Sequence, residues 1–437
     1  MVFYAWGAPK FVFILLATTA ASFYLVKWMD HSNKRKEKRL LLALSIIINL
    51  GLLAFFKYAN FFVDNLNQAF EALGYNAVAW TNIVLPIGIS FYTFQTLTYS
   101  VDVYRGVHKP LEKLSDYVLY IIMFPQLIAG PIVRYNSIAD QIVTRNETNN
   151  DRLLGFYRFS IGLAKKVLIA NVMGAKADEI MALDFYTIDS TIAWIGIMAY
   201  TFQIYFDFSG YSDMAIGIGR MIGFKFPENF DNPYTSKSIT EFWRRWHMTL
   251  GAWMKNYLYI PLGGNKVKSN SRLYFNLWFV FLVSGLWHGA AWNFIIWGAF
   301  HGFFLVIERL FLSKLLKKAG AAISLFYTFF ITVMGWVIFR IEDYESAFTY
   351  YGKLFSFDFG GFDMYQNKEV MLIFLLSVIF SFFTLIPYGK KIQNFIFYSE
   401  YSSKSLTIGF VVTLLLLSLS VASIATSDFN PFIYFRF

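Results

Sequence analysis

Long apolar runs separated by short polar loops make up most of this chain, and a helix needs about 20 mostly apolar residues to cross a bilayer. Uninterrupted runs at 11–28, 40–56, 190–206, 273–287, 291–308, 322–339, 370–387 and 406–425 predict membrane-spanning helices. Four further runs, near 83–104, 117–133, 153–173 and 208–224, are broken by Pro86, Pro125, Gly130-Pro131 and Gly210 or charged by Lys165 and Lys166. Broken segments at membrane depth persist only where protein packs around them or a wet cavity lies beside them. The middle of the chain is therefore expected to build a cavity rather than a plain bundle. A long polar interruption follows at 220–272. Inside it Trp243, Trp246, His247, Leu250, Trp253, Met254 and Tyr257 recur at helical spacing, with Arg244, Arg245, Lys255 and Asn256 opposite. That pattern predicts one amphipathic helix over 240–258 lying in the interface, with His247 on its apolar face.

Loop charge assigns sides, because Lys and Arg concentrate in cytoplasmic loops. The loop 27–39 holds Lys27, Lys34, Arg35, Lys36, Lys38 and Arg39, and 309–320 holds Arg309, Lys314, Lys317 and Lys318. Both read as inside, as does the basic interruption at 220–272. The loop 341–369 sets Glu342, Asp343, Glu345, Asp358, Asp363 and Glu369 against Lys353 and Lys368, and reads as outside. Lys390, Lys391 and Lys404 return the next loop to the inside and leave the C-terminus outside.

Composition agrees. The 437 residues are 57% hydrophobic and 15% charged, whereas a soluble domain carries about 25% charged residues. The chain is thus expected to be an all-α, polytopic integral membrane protein. Its excess of ten positive charges is dispersed over loops, which argues against nucleic acid as a partner. The absence of cysteine excludes disulfides, thiolate zinc sites and a cysteine nucleophile. The first apolar run lacks the basic start and small-residue cleavage site of a signal peptide. With no repeat and no composition shift, 1–437 reads as a single domain.

Of the five histidines, two stand out. His288 lies in Ser284-Gly285-Leu286-Trp287-His288-Gly289, and His247 in Phe242-Trp243-Arg244-Arg245-Trp246-His247. A titratable ring in or beside lipid is expensive to leave idle, and imidazole suits proton transfer near neutral pH. The plain alternative for His288 is a core histidine bonded to a backbone carbonyl; for His247 it is an amphipathic ring at the edge of an interfacial helix. Residue chemistry leaves both open. Gly285 and Gly289 would let a substrate or acyl chain approach His288. His301, thirteen residues on and roughly on the opposite face of a continuous helix, reads as structural, and His31 and His108 sit in loops. No metal site is expected, since no histidine pair has metal-ligand spacing. Asp207 and Asp213 read as structural ion pairs, with Arg220 or the arginines of 240–258 as candidate partners.

Six landmarks then fall in order: Leu85–Gln95, Phe124–Ile132, Tyr205–Asp213, Phe242–His247, Tyr259–Asn265 and Leu286–Gly289. Together, over about 81–345, they resemble the membrane-bound O-acyltransferase family, in particular its branch that O-acetylates cell-surface polysaccharides such as alginate. The resemblance implies about eleven transmembrane helices with re-entrant and interfacial helices around a thin centre. It implies that His288 is the catalytic residue and His247 the second. Trp287, Trp246, Arg244, Arg245 and Asn265 are then candidates to support the donor or an oxyanion. The donor would be a cytosolic acyl thioester, acetyl-CoA or the phosphopantetheine of an acyl carrier protein, with no bound cofactor. A cell-surface glycan would be the acceptor, with an extracytoplasmic transfer protein as partner, and the lipids would be those of a bacterial cytoplasmic membrane. Polysaccharide-acetylating relatives begin with a further apolar segment ahead of the motif resembling Phe3–Trp6, whereas this chain starts almost on that motif, as a missing first helix or a late start codon would leave it. A D-alanyl transferase of teichoic acids is the alternative, although Pro261–Asn265 favours the acetylating branch. A transporter of lipid-linked glycans is a third reading, one that would tolerate loss of both histidines.

Overall fold

A computed structural model describes residues 2–360, 367–398, 403–426 and 432, and among them every regular element is a helix. Asp363, the side chains of Phe3 and Lys404, and the side expected for the C-terminus lie outside the described residues. Among those described, six helical stretches are long and apolar enough to cross a membrane: Pro9–His31, Arg35–Ala72, Trp292–Ala319, Ala321–Arg340, Lys368–Leu385 and Ser405–Thr426. Contacts group the chain into two units, Met1–Thr148 with Ile222–Pro227, and Asn149–Met221 with Glu228–Phe437.

The first unit contains α1 (Val12–His31), α2 (Arg35–Ala72), α3 (Ile89–Tyr104), α4 (Leu114–Ile122) and α5 (Tyr135–Val143). Few charges are available to join these helices, so small polar groups do it. Asn49 donates to Ser22 at 2.9 Å, and Ser45 meets Ser100 at 2.8 Å, tying α1, α2 and α3 through buried hydrogen bonds. The run at 117–133 is broken as its prolines predict: α4 ends at Ile122, one turn spans Phe124–Leu127, and 128–134 is not helical. Gly88 has φ 75° at the start of α3, and a Cβ there would lie 2.5 Å from the Leu127 carbonyl oxygen. Only glycine fits.

The second unit begins with α6 (Asn149–Ala164), a π-helical stretch (Lys165–Ala170) and α7 (Asn171–Met181), followed by α8 (Ser190–Met221). Two expected segments at 190–206 and 208–224 prove to be this single 32-residue helix. Gly210 does not interrupt it because it serves packing: a Cβ there would lie 2.7 Å from the Gly162 carbonyl oxygen, and one at Gly162 would lie 2.5 Å from that of Gly210. Gly155 and Gly217 repeat the contact two turns away. Paired small residues of this kind let helix backbones meet in a membrane, where no hydrophobic effect drives helices together.

The same unit continues through α9 (Ile239–Arg245), α10 (Met248–Trp253), α11 (Asn270–His288), α12 (Trp292–Ile307), α13 (Ala321–Arg340) and α14 (Tyr344–Leu354). It closes with α15 (Lys368–Phe382), α16 (Gly389–Tyr398) and α17 (Ser403–Thr426). The helices α11 and α12 form a hairpin joined by only Gly289, Ala290 and Ala291. Gly285 and Gly298 set the two backbones against each other, since a Cβ at Gly285 would collide with the Phe294 carbonyl and lie 3.1 Å from Gly298.

Candidate functional site

The amphipathic helix expected over 240–258 is broken at its centre. Helix α9 ends at Arg245, and His247 adopts the left-handed conformation, φ 43° and ψ 53°, before α10 starts. Such a backbone costs a non-glycine residue energy and persists only where the surroundings enforce it. Here they do. The Asp231 N–H donates to the Arg245 carbonyl and the Met248 N–H to the Asn229 carbonyl, each at 2.9 Å, so residues 229–231 clamp both sides of the kink. The start of α9 is equally fixed. The buried Glu308 carboxylate, beyond α12, accepts from Ile239 N–H at 2.6 Å, Thr240 N–H at 3.0 Å and Thr240 Oγ1 at 2.8 Å. Ser238 accepts from Glu241 N–H at 3.0 Å as a side-chain cap.

The kink turns His247 into the protein, where it is 1% exposed. Its Nδ1 lies 3.0 Å from Asn229 Oδ1, and its ring centroid is 4.7 Å from Phe208 and 6.0 Å from Trp287. Among the described residues its Nε2 is buried without a hydrogen-bond partner. This segment is not one of the membrane-crossing helices, and burial alone pushes the imidazole down to about 3. Burial thus favours the neutral ring.

His288 is the last residue of α11 and is 6% exposed. Aromatic rings surround it, with centroids at 5.0 Å (Trp287), 5.1 Å (Trp297) and 5.5 Å (Phe339). Both histidines thus border the same indole, that of Trp287. Gly289 does not open this wall to a substrate, because the Phe294 ring fills the place of its Cβ. Gly285 is likewise used up by the hairpin seam. The expectation that these glycines admit substrate is corrected: they admit α12.

His301 was expected on the opposite face of one continuous helix, but the extended residues 289–291 separate α11 from α12 and change that geometry. It joins the same aromatic cluster. Its ring lies 4.9 Å from Trp243 and 5.1 Å from Trp297, and Gly335 leaves room for its edge. Trp297 therefore touches both His288 and His301. Sequence reading missed Trp297 and Asn229. The turn-rich run Glu228–Pro233, set between two helices, was the available signal for Asn229.

The remaining candidates disperse. Trp246 is buried against Trp336 at 4.9 Å and Phe230 at 5.1 Å. Arg244 is exposed. Arg245 is held by Glu241 at 2.7 Å and by Asp231 at 3.9 Å. Asn265 sits on an exposed turn, accepting from the Tyr259 hydroxyl at 2.7 Å. None of these three touches either imidazole among the described residues. Asp213 pairs with Arg158 and Lys165, both at 2.6 Å, and Asp207 with Lys166 at 2.5 Å. These partners replace the expected ones: Arg220 instead meets Asp151 at 3.0 Å, and Arg245 is engaged as above. Proximity across the α6–α8 seam decides it, since the π-helical turn at 165–170 places successive lysines beside α8.

Residues 107–341 match the model of the membrane-bound O-acyltransferase family. The chain is 38% identical to a probable alginate O-acetylase of Azotobacter vinelandii, over 100% of this chain and 93% of that protein. It is 44% identical to a probable alginate O-acetylase of Pseudomonas aeruginosa, over 82% and 68% of the two chains. It is 39% identical to a peptidoglycan O-acetyltransferase of Helicobacter pylori, over 79% and 70%.

Proposed function

Because the chain belongs to the membrane-bound O-acyltransferase family, we propose that it passes an acetyl group from a cytosolic thioester across the membrane for O-acetylation of a cell-surface polysaccharide. The observation that carries the reading is the pair of buried histidines, His288 and His247, on one indole. His288 takes the proton of the attacking hydroxyl as the new C–O bond forms at the acyl carbon. The C–S bond breaks, the thiolate departs, and the imidazolium returns the proton to sulfur. His247 supports the reaction beside it, and Trp287 walls the site against water. About eleven helices cross a bacterial cytoplasmic membrane around this centre. The donor is acetyl-CoA, no cofactor is held, and an extracytoplasmic partner completes delivery to the glycan.

Proteoliposomes carrying wild type or His288→Ala test the reading, with labelled acetyl-CoA and a D-alanyl carrier protein offered separately. Turnover of acetyl-CoA should fall by about 10²- to 10⁴-fold in the variant, the range of a lost general base. Unchanged turnover would remove His288 from the mechanism. Turnover of the D-alanyl donor alone would move the chain to teichoic acid chemistry.

A further inference from the structure

Asn229 is completely buried, and each of its polar side-chain atoms is committed. Its Oδ1 accepts from Thr249 Oγ1 at 2.8 Å and from Thr249 N–H at 3.3 Å, besides facing His247 Nδ1 at 3.0 Å. A backbone N–H can only donate, so the atom shared by these groups is the amide oxygen and not its nitrogen. The nitrogen is accounted for separately, donating to the buried Ser212 hydroxyl of α8 at 3.0 Å. An oxygen acceptor beside Nδ1 requires that Nδ1 bear the hydrogen. In a neutral imidazole the other nitrogen then bears the lone pair.

We propose that Asn229 is a positioning residue that locks His247 as the Nδ1–H tautomer and so presents Nε2 to the reaction centre as a hydrogen-bond acceptor. The assignment rests on the acyltransferase reading for its catalytic consequence, but the tautomer itself follows from the Asn229 network alone. Its consequence is specific. In this form His247 has no hydrogen on Nε2 to give to an oxyanion; it receives a hydrogen bond or proton from a substrate N–H or O–H. The left-handed backbone at His247 and the clamp from the Asn229 carbonyl to Met248 serve the same end, because one residue fixes both the main chain and the ring.

The test uses the full chain in lipid bilayers with isotope-labelled histidine. Carbon–nitrogen correlations that tell Nδ1 from Nε2 are recorded without substrate, and His247 is identified by its absence from the His247→Gln spectrum. The expected result is a protonated Nδ1 and a bare Nε2, and an Nε2–H signal would overturn the proposal whatever any variant does. Kinetics supply the second arm. Asn229→Leu should lower kcat by about 10- to 100-fold, the scale of partners that orient an imidazole, with KM for acetyl-CoA within about threefold. In a His247→Gln background the same substitution should cost nothing further, because no ring remains to be oriented. An equal loss in both backgrounds would make Asn229 merely structural and overturn the positioning role. If wild type transfers no acyl group at all, the function reading fails while the tautomer result still stands.

Discussion

Two helix pairs in the second unit are closed by the same device and used for different ends. Between α6 and α8, Gly155 and Gly162 meet Gly217 and Gly210, and the seam is flanked by Arg158, Lys165 and Lys166 paired with Asp213 and Asp207. Between α11 and α12, Gly285 meets Gly298, and the seam leads to His288 and His301 among Trp287, Trp297 and Phe339. In the first pair each of these five charges has an opposite charge within 2.6 Å, the arrangement of a structural ion-pair seam. In the second the titratable groups are imidazoles held among aromatic rings. Close backbone packing is common to both; what the seam is lined with separates the ion-paired scaffold from the proposed site.

The contrast can be broken most severely at the seam itself. Gly162→Val should abolish recovery of folded protein from membranes, because its Cβ must sit 2.5 Å from the Gly210 carbonyl and 2.7 Å from Met214 N. Size-exclusion chromatography in detergent reads the outcome, and a wild-type profile would show that the seam is not load-sharing. Next in size is Asp213→Asn, which takes from Lys165 its carboxylate partner and leaves Arg158 to Glu228 at 2.6 Å. Removing one partner of a buried pair costs about 3–5 kcal/mol, seen as a lower unfolding temperature. Turnover per folded molecule should hold; if it collapses instead, the ion pairs belong to the chemistry and the comparison fails.

A smaller effect concerns pH. Unfolded chains protonate His247 near 6.5, whereas the folded form resists until about 3. Stability is therefore complete above pH 6.5 and is lost as pH falls, by about 2 kcal/mol at pH 5. Denaturation of wild type and His247→Gln at pH 7 and pH 5 should show this loss in wild type only. The smallest change is expected from Asn265→Ala, on its exposed turn: less than about twofold in turnover, within the range of surface substitutions. A larger loss would extend the site to that turn.

Much of the helical plan was legible from the chain. Proline and glycine marked the interruption of the run at 117–133, and the eight uninterrupted runs lie mainly in helix, six of them in stretches long and apolar enough to cross a membrane. Gly210 misled because a glycine reads alike whether it ends a helix or lets a neighbour approach; only Gly162 across the seam tells them apart. The kink at His247 was equally invisible, since its apolar spacing continues through 246–250 unbroken. What bends it is the Asn229–Asp231 segment, and periodicity within one stretch carries no trace of such a clamp. The ordered motifs marked His288 and His247 without indicating that they share Trp287. Asn229 carried no motif strong enough to be singled out.

The sequence by itself determined that this chain is a helical membrane protein, because apolar length and the scarcity of charge are properties of single segments. It also marked the two histidines, through motifs that lie close together along the chain. Tertiary structure alone decided the charge partners, the purpose of each glycine and the tautomer-setting contact of Asn229. Those depend on backbones meeting over distances of a few ångströms between residues far apart in sequence, and no local pattern records such meetings.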